Sequence, residues 1–263
     1  MEFIDTHCHL DLLQKDISEV VNSALENNVK IMVLPGTDLA TSKLAIKFAE
    51  KYDSVFAAVG IHPHEVSECS ESDIEEIADL VYHPKVVAIG EIGLDYHYLP
   101  FDESRQKSIL KKMLALSSSC KKPIILHSRD ALADLVEVID EWLISFPKVF
   151  AQQNPSFGVF HMFEGDASSA KVLIQKGFQI SFGGNITFKN NSKNVELLKS
   201  IGLSSLLLET DSPYMSPVPF RGIPNEPCRI PVIAAKIAEI LQIKVELVAE
   251  VTTNNAKRLF SLR

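Results

Sequence analysis

Asp5, His7 and His9 stand at alternate positions in the opening stretch FIDTHCHLDL. On an extended segment such residues face one side, so His7 and His9 are able to converge on one cation. An isolated HxH is weak evidence for a metal site; what recurs further along gives it weight. "GIHPH" carries His62 and His64, "GEIGLDY" carries Glu91, and "PIILHSRDA" carries His127. "HMF" carries His161, and "ETDSPY" carries Glu209 and Asp211. Each stands where an apolar run gives way to polar residues.

Four histidines (His7, His9, His127, His161) and two carboxylates (Glu91, Asp211) suffice to hold two divalent ions. Nitrogen and oxygen donors suit Zn²⁺ or Mn²⁺, and Mg²⁺ less naturally. The expected arrangement puts His7, His9 and Asp211 on one ion and His127 and His161 on the other, with Glu91 bridging. Two ions about 3.5–4 Å apart clamp the attacking and leaving oxygens of a phosphoryl centre and acidify a shared water. Asp211 is then the group that accepts its proton and orients the bridging hydroxide. Asp5, one step deeper on the same face, is expected to orient a histidine ring, and Glu209 to hold His7 or His9.

Other polar residues sort by position. His62 is read as a donor to a substrate phosphate. Arg129, two beyond His127, and Arg221, in the proline-rich stretch SPVPFRGIPNEP, are candidate phosphate contacts. Arg129 fits a carboxylate partner equally well. Asp95 and Tyr96 either line the pocket or form a turn. Cys8 and Ser128 alternate away from the histidines and are read as packing. His83 and His97 are read as solvated or structural. Phe163 and Phe220 offer faces to bases or pack against loops.

The elements that must position these groups are eight short apolar runs, beginning at Phe3, Lys30, Val55, Val86, Pro123, Gly158, Phe178 and Ser205. They are unbroken rather than alternating, as in strands buried on both faces of a parallel sheet. Helical spacing fills the gaps, for example Leu132, Leu135, Val136, Ile139, Leu143 and Phe146. Strands alternating with helices predict βα units, and eight of them predict a closed (β/α)₈ barrel spanning 1–263 as one domain. In a parallel barrel all the polar strand ends share one mouth. A doubly wound sheet is the rival, but it would show a glycine-rich turn after its first strand, and none is present. "AQQNPS" (Ala151–Ser156) reads as a surface loop, and the chain closes on a helix with Thr253 or a neighbour as N-cap.

Composition narrows the function. Of 263 residues 46% are apolar, enough for a large core, and no run of about 18 apolar residues predicts a membrane span. The start of the chain reads as a strand rather than a signal peptide. Four cysteines without a CxxC pair fit a reducing, cytoplasmic setting. A net charge of −8 argues against a broad basic surface for duplex DNA, although bound cations reverse the field locally.

These motifs, with "PVPFRG…NEP" and the terminal "TTNNAKRLF", resemble the TatD family of metal-dependent hydrolases and deoxyribonucleases over nearly the full length. The resemblance implies a barrel, a two-metal centre and phosphodiester hydrolysis. It places the metal positions on His7, His9, Glu91, His127, His161 and Asp211, as the strand ends do. Members often continue "PFRG" with basic residues; here Ile223 and Pro224 follow, which removes positive charge from the entrance. The leading expectation is a metal-dependent DNase acting on single strands or strand ends, with no membrane or obligate protein partner. A two-metal hydrolase of a small amide, lactone or phosphoester is the alternative, and a non-catalytic barrel scaffold the third reading.

Overall fold

The computed structural model describes residues 1–145 and 156–262. Eight strands lie in chain order: β1 (Phe3–Asp5), β2 (Val29–Pro35), β3 (Val55–Val59), β4 (Val86–Asp95), β5 (Ile124–Arg129), β6 (Gly158–Phe160), β7 (Phe178–Phe182) and β8 (Leu206–Leu208). Every adjacent pair is parallel. Main-chain bonds join the last strand to the first: Thr6 N–H donates to Leu208 O at 3.0 Å, and Asp211 N–H to His7 O at 2.9 Å. This is the (β/α)₈ barrel expected from the repeating apolar runs, and its closure excludes the open doubly wound sheet.

The helices among the described residues are α1 (Ile17–Glu26), α2 (Leu39–Lys51), α3 (Glu71–Leu80), α4 (Glu103–Cys120), α5 (Leu132–Ser145), α6 (Ala167–Gln175), α7 (Ser192–Ile201), α8 (Ile230–Leu241) and α9 (Val245–Phe260). Several start where a short polar side chain takes a free N–H of the first turn. Asp16, Asp102 and Asp166 do so singly, and Asp38 and Ser70 form reciprocal capping boxes. The terminal helix starts earlier than expected. Its N-cap is Lys244, and Thr253 lies inside it, donating from Oγ1 to Glu2 O at 2.9 Å. The buried stripe Val248, Ala249, Thr252, Ala256 carries the helix back past Thr253. Phe146 and most of the predicted loop at 151–156 fall outside the described residues. No helix among those described is long and apolar enough to cross a membrane.

Two apolar layers fix the polarity of the barrel. The larger lies between strands and helices. The smaller joins Ile4, Val33, Ala58, Ile125, Val159 and Leu207 to Ala256, Leu259 and Phe260 of α9. Ile125 and Val159 stand two residues before His127 and His161, so this layer fills the lower interior and α9 plugs that end. The polar groups lie at the C-terminal ends of the strands, where barrels of this type build their sites.

Candidate metal centre

Glu91, 3% exposed on β4, lies at the middle of the cluster. Its two oxygens face different partners. Oε2 is 3.3 Å from His7 Nε2 and 3.8 Å from His9 Nε2. Oε1 is 2.9 Å from His127 Nδ1, 3.3 Å from His161 Nε2 and 3.5 Å from His62 Nε2. Asp211 Oδ1 closes the first side, 3.9 Å from His7 Nε2 and 3.8 Å from His9 Nε2. The His7 and His161 rings stack at 3.8 Å. The six residues read as ligands therefore come together. So does His62, which is 9% exposed and groups with Glu91 and His127.

Four of the six groups read as ligands, His7, His9, His161 and Asp211, lie just beyond their strands. β1 ends at Asp5, β6 at Phe160 and β8 at Leu208. After β6 the chain turns at Met162 (φ +42°), and after β8 at Asp211 itself (φ +52°). Left-handed backbone is uncommon for non-glycine residues, and Asp tolerates it better than Met. The runs at 158–163 and 205–211 extend beyond β6 and β8, so sequence patterning overestimates the length of those strands while locating the groups correctly.

Two supporting residues differ from expectation. Asp5 does not share a face with His7 and His9. Ile4 belongs to the inner layer, so Asp5 points outward, and a bend at Thr6 resets the alternation. The Asp5 carboxylate accepts from Thr210 N at 3.0 Å, Thr210 Oγ1 at 2.6 Å and His7 N at 3.3 Å. It braces the main chain between β1 and β8 instead of orienting a ring. Glu209 serves His161 rather than His7 or His9: its Oε1 lies 3.4 Å from His161 Nδ1 and accepts Met162 N–H at 2.6 Å. His7 Nδ1 and His161 Nδ1 are both buried with no hydrogen-bond partner among the described residues, and of the two only His161 has a carboxylate oxygen facing that nitrogen.

Asp95, which in sequence fits either a pocket wall or a turn, reaches the site. Its Oδ2 lies 2.8 Å from His127 Nε2 and 3.0 Å from the exposed His64 Nε2. Its sequence signal was position: it follows Glu91 by four on one strand, hence on the same face. Of the phosphate candidates, Arg129 packs its guanidinium 5.0 Å from the Tyr98 ring centre and contacts Tyr98 Oη rather than a carboxylate. Arg221 lies exposed over Phe188 at 3.9 Å. Phe163 is buried and packs edge-on to Phe160, and Phe220 stacks under Arg229. Cys8 is buried in the outer layer; His83 pairs with Glu50 and His97 with Asp130, all structural contacts.

The electrostatics follow from burial and crowding. Burial would raise the Glu91 carboxyl, but the His161, His7 and His62 rings outweigh it and hold it well below the ordinary range. Burial would lower His161, yet Glu209 and Glu91 raise it well above its usual value. Burial, reinforced by the His7 ring, pushes His9 down to about 3. Burial likewise takes His62 to about 3. Asp211 is raised by burial to about 6 against the pull of His161 and His7.

These features test the donor set for a cation. His7 Nε2 and His9 Nε2 face each other at 3.1 Å, a contact that needs a shared proton or a common cation. His9 and His62 are held neutral, with lone pairs available, and the carboxylates supply the balancing charge. Three overlapping groups, His7–His9–Asp211, His7–Glu91–His161 and His62–Glu91–His127, each have ligand atoms within 4.8 Å of one another. The residues fit divalent ions.

Fold and site together define a parallel barrel with a buried imidazole–carboxylate centre at its C-terminal mouth. Comparison with known proteins gives the family. A family model described as TatD related DNase matches residues 4–261, and the chain belongs to that family. It is 39% identical over 260 residues to the uncharacterized metal-dependent hydrolase YabD of Bacillus subtilis, with 98% of each chain covered. It is 34% identical to the uncharacterized metal-dependent hydrolase YcfH of Escherichia coli K12, covering 100% of this chain and 97% of the relative. The crystal structure of YjjV, a TatD homologue from Escherichia coli K12, superposes with a TM-score of 0.91 at 31% identity, covering 99% of this chain and 98% of that one.

Proposed function

We propose that this protein is a divalent-metal-dependent hydrolase that cleaves phosphodiester bonds, acting as a deoxyribonuclease on single strands or strand ends. The observation that carries the reading is the division of Glu91: one oxygen faces His7 and His9, the other His127 and His161. A carboxylate so placed suits a bridge between two ions, one held with His7, His9 and Asp211, the other with His127 and His161. The family description and the relatives' names support metal-dependent hydrolysis, and the family's DNase description supports the substrate.

Two bound divalent ions supply Lewis acidity toward a phosphoryl oxygen and acidify water at the site. The chain's own residues do the rest. Asp211, whose side chain is 15% exposed against 4% for Glu91, is the carboxylate open to solvent and accepts the proton of the attacking water. His62 contributes a further nitrogen beside Glu91 and His127, facing the substrate phosphate. Arg129 and Arg221, fixed against aromatic rings at the mouth, contact phosphates further along the strand.

A second reading, hydrolysis of a small phosphoester, lactone or amide, is favoured by the rim. Tyr98, Leu99, Tyr214, Met215, Val218 and Ile223 are exposed there, an apolar border for a strand of phosphates. The experiment compares hydrolysis of single-stranded DNA with that of small esters, before and after chelation and after metal is restored. The DNase reading requires loss and recovery of DNA cleavage and its abolition in His127→Ala and Asp211→Ala. Metal-restored turnover of small esters with none of DNA selects the second reading.

A further inference from the structure

His127 has a carboxylate oxygen at each ring nitrogen, Glu91 at Nδ1 and Asp95 at Nε2. The strand explains how. Glu91, Gly93 and Asp95 alternate with the outer-layer residues Ile92 and Leu94, so all three face inward. Gly93 is in register with His127 and places no side chain between the two carboxylates. Its φ of +152° favours glycine, and a Cβ there would meet His127 O at 1.9 Å. The imidazole thus spans the gap between residues four apart on the neighbouring strand.

Asp95 is built into this position. It is 1% exposed. Its main chain is locked to Gln106 of α4 in both directions, Asp95 N to Gln106 Oε1 at 2.9 Å and Gln106 Nε2 to Asp95 O at 2.8 Å. Oδ1 accepts from His97 N at 2.9 Å, which leaves Oδ2 for His127 and His64. Glu91 is shared among several rings, whereas Asp95 Oδ2 faces two, the half-buried His127 and the exposed His64.

We propose that Asp95 is a positioning residue: it accepts the Nε2–H of His127, fixes that tautomer, and so turns the Nδ1 lone pair toward Glu91 and the cation held there. The inference rests on the two-ion reading. His161 is set the opposite way, with Nε2 toward Glu91 and Nδ1 toward Glu209. Imidazole ligands supported in this way lose about 10–100-fold in metal affinity when the support is removed.

The test uses the whole chain as wild type, Asp95→Asn and Asp95→Ala, each checked for folding by circular dichroism and thermal melting. Zn²⁺ is titrated calorimetrically. Long-range ¹H–¹⁵N spectra of histidine-labelled, zinc-loaded protein report the tautomer, with His127 assigned by its loss in His127→Asn. The expected result is two ions in the wild type and a proton on His127 Nε2. In Asp95→Ala one ion should bind about 10–100-fold more weakly and the other unchanged. Asp95→Asn, whose amide oxygen still accepts a hydrogen bond, should recover part of the loss. Wild-type affinity for both ions in both folded variants, or a His127 proton on Nδ1, overturns the inference alone. A wild-type chain that takes up no divalent ion overturns the two-ion reading and this inference with it.

Discussion

The two halves of the centre are held in place by different means. His7 and His9 lie on an irregular segment past β1, and what steadies them is main chain: Asp5 ties the backbone of His7 to Thr210 across the seam of the barrel. His7 Nδ1 has neither a hydrogen-bond partner nor a carboxylate near it among the described residues, whereas His161 Nδ1, also without a hydrogen bond, faces Glu209 Oε1 at 3.4 Å. His127 and His161 stand at or just past the ends of β5 and β6, and each ring has a buried carboxylate behind it, Asp95 or Glu209. One half is placed by backbone, the other by ring. The lesson is that equal ligand types need not be equally oriented: His127, hydrogen-bonded to Asp95, presents one nitrogen, while His7 depends on its neighbours in the site.

Glu91 is where the comparison is easiest to break. Replacing it with Gln keeps the shape but removes the charge that both halves share. Turnover should fall on the order of 10³-fold or more, because several kcal/mol of charge stabilisation is lost. Both ions should weaken together, as read by metal content after dialysis. Retention of one ion with most of the activity would show that the halves are independent sites and that Glu91 does not join them.

Metal-free stability sharpens the contrast next. Glu209→Ala strips the carboxylate from a buried pair with His161 and leaves Met162 N–H without its acceptor, so it should cost about 3–5 kcal/mol. Asp5→Ala leaves donors on Thr210 and His7 unpaired and should cost about 2–3 kcal/mol. Urea denaturation in the presence of chelator measures both. A larger loss for Asp5→Ala would mean that the barrel seam, not the ring support, dominates the centre's stability.

His7, His9, Glu91, His127, His161 and Asp211 were legible because the barrel brings every strand end to one mouth, and a polar group at the end of an apolar run is visible without coordinates. The partners of those groups were not. The face of Asp5 is not legible because a bend at Thr6 breaks an alternation that the letters suggest is continuous. In sequence Glu209 is ambiguous, because it lies just past β8 between the strands of both halves, and only its contacts with Met162 N and His161 decide which ring it serves. Asp95 was visible as the residue four beyond Glu91. Its target depended on the register of β4 against β5, which shifts between Ile89 and Ile92 and which no local pattern encodes.

Titration separates the metal-free from the metal-loaded centre. His161 and His127 have raised pKa values, so their stabilisation is complete below the ordinary 6.5 and is lost as pH rises through the raised values. Asp5, pushed up to about 8 by burial, likewise contributes fully at low pH and loses its contribution as pH rises through 8. Glu91 and Glu209 have lowered values; their stabilisation is present above 4.5 and disappears only in acid. Metal-free protein should therefore lose stability from pH 6.5 to 8, where those carboxylates no longer change. Ions require unprotonated ligands and bind more tightly across the same interval. The melting difference between Mn²⁺-loaded and chelated protein should widen by about 2–6 °C over it. A gap that stays constant or narrows would separate metal binding from the protons on these rings.

The smallest effects belong to the two arginines at the rim. Arg129 lies two residues beyond His127 on β5, past the ring-supported half. Arg221 lies on the loop after β8, past the backbone-braced half. Both guanidinium groups are stacked on aromatic rings, at 5.0 Å from Tyr98 and 3.9 Å from Phe188. Their charge is pre-positioned but wet, and a wet contact with phosphate contributes about 1 kcal/mol or less. Each Ala variant should therefore raise KM for an oligonucleotide by about 3–5-fold while leaving kcat within about twofold, since neither group reaches the reacting phosphate. Arg129→Ala should have the larger effect, because its strand fixes it nearer His127, whereas Arg221 sits on a loop. The KM increase should also shrink at high salt, as screening removes what the charge contributed. A fall in kcat for either variant would place that guanidinium at the cleaved bond, and the half of the centre beneath it would then be the one that receives the scissile phosphate.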